Sequence, residues 1–247
     1  MLTKLENGWY CFGNGKPWRL KAPYFLCEVG AEGTIPDYSN MPSVMAKLRR
    51  IKAFYTGKLK LGNLDEHGNG IDILVANSMT ESLGTVPSPL NYKDLRKAFD
   101  NIVGSDVGSR LDEIVRLISR SAGAKYLERR EPGYIDPIRT PGRVSLGSHH
   151  ILISTALQSK GKLNSSDKEA QIIDLVLRLP SESIFAAQLA IDYLNSRYSK
   201  HQNHPPLIAA TYNAGSPRLT SANAWNLVQY GEHIDRWIAY YNTSRKI

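Results

Sequence analysis

Residues 71–84 read IDILVANSMTESLG. From Ile71 to Met79 the run is apolar on nearly every side of a helix, which predicts a buried helix rather than one lying along a surface. Asn69 followed by Asp72 gives a start signal, and Gly84 is placed to end the helix. Glu81 then falls in the last turn, with Ser82 beside it. A carboxyl at the end of a buried helix is partly dehydrated, which penalises its charged form and raises its pKa. A raised pKa is what a general acid needs near neutral pH. Taken alone, a glutamate in a last turn is more often an ordinary surface residue, so the local reading leaves its role open.

The helical period continues outward from this run. Asn91 with Asp94 opens a helix through YKDLRKAFDNIVG, where Leu95, Ala98, Phe99 and Ile102 share a face. Ser109 with Asp112 opens RLDEIVRLISRSAG, which turns Leu111, Ile114, Val115 and Ile118 inward. Residues 124–146 read as loop, carrying Pro132, Pro137 and Pro141. Helices are expected again at 148–159, 168–179, 182–197, 206–213 and 220–242, the last broken near Gly231. Upstream, residues 1–40 have no helical period and are rich in Gly, Pro and aromatics, among them Trp9, Tyr10, Phe12, Trp18, Tyr24 and Phe25. Short strands and turns are expected there. The fold class is therefore mainly α: one helical domain over 44–247 and a strand-and-loop extension over 1–43. A segment as short as 1–43 has little core of its own, so an extension packed on the main domain is favoured over a separate wall-binding module.

The bulk composition fits an ordinary globular chain. Of 247 residues, 42% are hydrophobic and 22% charged, enough to build a core without disulfides. The formal charge of +8 favours a polyanionic partner such as nucleic acid, an acidic membrane surface or the bacterial wall. The basic residues are scattered and form no nucleic-acid motif, so a nucleic-acid partner is not expected. No stretch is long and apolar enough to span a bilayer, which argues against stable membrane insertion. The two cysteines, Cys11 and Cys27, are compatible with free thiols or with one bridge. Among the histidines, His149 and His150 are adjacent and would point to different faces of a helix, and no Cys or carboxylate completes a zinc set with them or with His201 and His204. Neither a metal nor a cofactor is expected. The opening MLTKLENGWYCFGNG lacks the apolar core of a secretory signal.

Two further segments bear on chemistry. SLGSHHILISTA, from Ser145 to Ala156, reads as a loop entering a helix, with Gly147 where backbone must approach something closely. AATYNAG, from Ala209 to Gly215, is a small-residue helix end bearing Tyr212 and Asn213. Each alone fits an ordinary helix boundary.

Together with Glu81-Ser82, these segments resemble the soluble lytic transglycosylases and goose-type lysozymes. That family carries Glu-Ser at the end of a buried helix. It then carries a Ser-x-Gly run followed by Thr-Ala, matched by Ser145, Gly147, Thr155 and Ala156. Its Ala-x-Tyr-Asn-Ala-Gly motif is matched by Ala210, Tyr212, Asn213, Ala214 and Gly215. The resemblance covers roughly residues 60–240 and implies a lysozyme-like catalytic domain acting on the MurNAc-GlcNAc bond of peptidoglycan, as transglycosylase or muramidase. Glu81 would be the catalytic acid, and Ser82, Ser145, His150, Tyr212 and Asn213 would bind substrate. Neither cofactor nor metal is implied. With no signal peptide in sight, the resemblance implies delivery to the wall by phage lysis, a virion or a secretion machine.

The departures are specific. The usual Leu-Met-Gln is Ser148-His149-His150, so a titratable imidazole replaces a neutral amide. The family's Asn and Gly on the preceding helix are Ser183 and Ala187. The gap between Glu81 and Gly147 is long, and residues 86–124 read as an inserted helical pair. That gap makes Glu131, in the polar stretch ERREPGY, a rival acid, although no buried helix precedes it. The alternative of a different class is a non-catalytic glycan-binding protein that keeps the fold.

Overall fold

The computed structural model describes residues 3–4, 10–11, 17–21, 25–28, 36–122, 136–159, 168–201, 208–209, 211–212 and 231–247. Among them are eight α-helices and few strands, so the molecule is mainly helical. The chain divides into two units, residues 1–84 with 194–247, and residues 85–193.

The first unit is organised around the apolar run. Helix α1 (Pro42–Tyr55) starts with Pro42, whose missing N–H removes no hydrogen bond at a first-turn position. It buries Leu48, Ile51 and Tyr55. Helix α2 (Gly70–Ser82) follows a 3-10 turn at Gly62–Asp65 and is buried at Gly70 and from Asp72 through Met79, as its sequence requires. The last helix (Gly231–Arg245, numbered α8 below) packs along α2 and contributes Ile234, Trp237, Ile238 and Tyr241.

The partners at the helix starts differ from the sequence reading. The side chain of Asn69 does not cap α2; its Nδ2 donates to Tyr241 Oη at 2.9 Å. Asp65 caps instead, its Oδ1 accepting the Gly70 N–H at 2.8 Å. Asp72 is buried in an ionic cluster. Lys52 Nζ from α1 and Arg245 Nη1 from α8 each approach it at 2.8 Å, and Ser244 Oγ donates to it at 2.5 Å. Lys52 also donates to the carbonyls of Ser244 and Ile247. A buried carboxylate demands such compensation, and satisfying it ties three helices at one point.

An antiparallel sheet of four strands precedes α1: β1 (Thr3–Lys4), β2 (Tyr10–Cys11), β3 (Pro17–Lys21) and β4 (Phe25–Glu28). Strands in the N-terminal extension were expected. In the register of the sheet Cys11 lies opposite Pro17, and Cys27 opposite Arg19.

The second unit holds α3 (Tyr92–Asn101), α4 (Val107–Ala122), a β5–β6 hairpin (Ser145–Leu146 with Ile151–Leu152), α5 (Ile153–Ser159) and α6 (Lys168–Ser181). The unit boundary falls within α7 (Ser183–His201). The inward faces predicted for α3 and α4 are buried at Leu95, Phe99, Leu111, Ile114, Val115 and Ile118, and both helices pack on α6. Asn91 caps α3 by accepting the Lys93 N–H at 2.8 Å. For α4 the acceptor is Asp106, which takes the Ser109 N–H at 2.9 Å, and the helix begins at Val107 rather than at Ser109.

The expected helix at 148–159 is corrected: Ser145–Leu152 form the hairpin, and helix begins only at Ile153. Gly147 (φ +82°) starts the turn, and His150 (φ +46°) ends it with its N–H on the Gly147 carbonyl at 3.1 Å. The close approach expected at Gly147 is present. A Cβ there would sit 2.3 Å from the carbonyl oxygen of Leu179 on α6. The positive φ and the missing side chain are both needed.

Candidate active site

Helix α2 ends in a double hydrogen bond. Leu83, in the left-handed region at φ 54°, donates its N–H to Met79 O, and Gly84 donates to Ser78 O. This Schellman closure favours glycine after Leu83, since Gly84 sits at φ +71° and a Cβ there would press on the ends of the Ile51 and Met79 side chains. The stop signal thus lies one residue beyond the left-handed cap. Glu81 is held just before this closure. The other polar side chains of the last turn fold back on the helix: Thr80 Oγ1 donates to Ala76 O and Ser82 Oγ to Ser78 O.

What faces Glu81 follows from the pairing of α2 with α8. Asn69 meets Tyr241 and Asp72 meets Ser244, so the start of α2 lies at the end of α8. Antiparallel helices in that register bring the end of α2 to the start of α8, where His233 stands. His233, Trp237 and Tyr241 recur every four residues on one face, and Trp237 stacks on Tyr241 with ring centroids 5.4 Å apart. His233 Nε2 lies 3.6 Å from Glu81 Oε1, and each side chain keeps 15% of its surface exposed. The side chain is therefore largely dehydrated, with Oε1 itself buried.

Dehydration sets the charge of both groups. Burial pushes the Glu81 carboxyl up to about 8, against an opposing pull from the Arg236 guanidinium. Burial, with the same guanidinium, brings the His233 imidazole down to about 4. Near pH 7 the pair is a protonated carboxylic acid beside a neutral imidazole. Such a carboxyl can donate a proton and, once ionised, take one back.

The other predicted residues are divided by unit. Tyr212 is helical and half-buried in the first unit, with Thr211 fully buried beside it. Asn213 and Glu131 lie outside the described residues. Ser145 starts β5, and His150 sits in the hairpin turn of the second unit. The imidazoles of His149 and His150 are both held down to about 3 by burial. The expectation of a charge change at His150 in the working pH range is corrected: desolvation keeps it neutral there. The reading of the two histidines as opposite faces of a helix is corrected as well, since both lie in a turn.

His233 is the residue that the sequence reading missed. Its only local signal is the four-residue spacing to Trp237 and Tyr241, which reads equally as core. Among the described residues, no group of three or more His, Cys, Asp or Glu side chains is placed to hold a metal ion, and no helix is long and apolar enough to cross a membrane. Comparison with family models, curated proteins and solved structures finds no match to this chain.

Proposed function

We propose that this chain cleaves the glycan strands of bacterial peptidoglycan, with a lysozyme-like helical domain and Glu81 as acid and then base. The observation that carries the reading is the Glu81 side chain at the end of a buried helix, with 15% of its surface exposed and its carboxyl pushed up to about 8 by burial. The sequence motifs at Ser145–Ala156 and Ala210–Gly215 support it by their order and register.

Glu81 gives its proton to the glycosidic oxygen as the C–O bond breaks. The sugar's own acetamido oxygen closes on the anomeric carbon, so no second carboxylate is required. Glu81, now ionised, takes a proton from the attacking hydroxyl as the new bond to the anomeric carbon forms. The sugar's primary hydroxyl gives an anhydro product and water gives simple hydrolysis. The family resemblance assigns Tyr212 to orienting the acid or the acetamido group, and Ser82, Ser145, His150 and Asn213 to binding the glycan. The protein acts on the wall outside the cytoplasm, after delivery.

Mass spectrometry of purified peptidoglycan after digestion tests this. Anhydro-muramoyl or reducing-end fragments with the wild type, and none with Glu81→Gln, are expected. Retention on the wall without fragments from either protein would instead identify a glycan-binding protein.

A further inference from the structure

Glu81 must be an acid in the first half of the proposed reaction and a base in the second. Between the two it is a carboxylate in a largely dehydrated place, and such an anion needs a donor. Cations stand on α1 and α8 near this end of α2. On α1, Lys47 Nζ and Arg50 Nη2 end on the carbonyl oxygens of Leu83 and Gly84 at 3.3 and 3.4 Å. On α8, Arg236 acts on both groups through its charge, but its side chain is exposed. His233 is different, with Nε2 lying 3.6 Å from Oε1 across the α2–α8 pairing. That separation is too long for a hydrogen bond, and a small side-chain movement closes it.

We propose that His233 is a positioning residue for Glu81: neutral, with its proton on Nε2, it donates to Oε1 when Glu81 has lost its proton and holds that oxygen for the return step. The inference rests on the cleavage reading for its place in the reaction, but the contact it describes exists without substrate. No proton passes to or from His233. The imidazole stays neutral throughout, which its low pKa of about 4 allows. Its distance from the phenylalanine-like alternative is chemical: a ring of similar size without Nε2–H would fill the space and leave the carboxylate without this donor.

The test is a carboxyl-carbon NMR titration of the full chain labelled at glutamate, with Glu81 assigned by the signal lost in Glu81→Gln. In His233→Leu, the Glu81 midpoint is expected to rise by about one pH unit or more, the size of one charge-assisted hydrogen bond. His233→Gln places an amide N–H near the former Nε2 and should restore the midpoint, whereas His233→Asn, whose amide falls nearer Nδ1, should not. Nitrogen shifts of wild-type His233 should show the proton on Nε2. Turnover on peptidoglycan should fall about tenfold or more in His233→Leu and recover in His233→Gln. An unchanged Glu81 midpoint in folded His233→Leu, or a proton on Nδ1, overturns the inference and leaves the cleavage reading standing. A wild type that cleaves no wall overturns the cleavage reading, while the titration still decides whether His233 serves Glu81.

Discussion

A carboxyl that keeps its proton at pH 7 alters stability as well as chemistry. Glu81 binds its proton more tightly folded, at about 8, than at its ordinary value of 4.5. Its contribution to stability is therefore complete below about 4.5 and is lost as pH rises through about 8. His233 runs the other way: its folded value near 4 is below the ordinary 6.5, so its contribution is present above 6.5 and lost as pH falls through 4. Glu81→Gln should remove the alkaline loss and keep the acid one. Urea unfolding should show the variant gaining on the wild type between pH 5 and 8, by on the order of a few kcal/mol at the upper end. Wall cleavage by the same variant should fall on the order of a hundredfold or more. A second outcome concerns rate: because the reactive form of Glu81 is protonated, wild-type kcat/KM should decline above about pH 8. A flat profile from pH 6 to 9 would detach Glu81 from the chemistry.

Between residues and the whole stand two joints that fix the elements. The first is Asp72, where α1, α2 and α8 converge. Asp72→Asn leaves Lys52 and Arg245 facing an amide in a mostly buried place, and breaking such a pair costs about 3–5 kcal/mol. Both cations keep some exposure, 27% and 16%, so a loss near the lower figure is expected in thermal unfolding. The second joint is Gly147 against α6. Gly147→Ala must distort the hairpin or move Leu179, because the clash is with backbone. A loss of about 2 kcal/mol or more is expected, strain at φ +82° included. These joints also show what sequence can disclose. Gly147 was legible because only glycine suits a close approach, and α2 because an apolar run with start and stop signals has few other fates. The hairpin was not: two-residue strands at Ser145–Leu146 and Ile151–Leu152 are too short to show alternation. The caps were misread where tertiary partners intervened, as when Tyr241 drew Asn69 away from its helix. His233 was illegible because its meaning lies in a helix far away along the chain.

At the scale of the whole molecule, charge and chain order matter most. A protein of net charge +8 acting on an anionic wall should be held there partly by unscreened charge. Retention of Glu81→Gln on sedimented walls should drop as salt rises from 0.05 to 0.5 M, and salt-independent retention would assign binding to uncharged contacts. The first unit is also discontinuous, joining residues 1–84 to 194–247. Its central contact, α2 on α8, links segments that leave the ribosome far apart in time. At ordinary elongation rates of about 5–20 residues per second, the stretch from Ser82 to Gly231 takes about seven to thirty seconds to make. During that interval the apolar flank of α2 that α8 will cover has no cover from α8. The same delay bears on the chemistry proposed for Glu81. Until α8 docks, Glu81 lacks the dehydrating wall that keeps it protonated, so an unfinished chain carries an ordinary ionised glutamate and no acid.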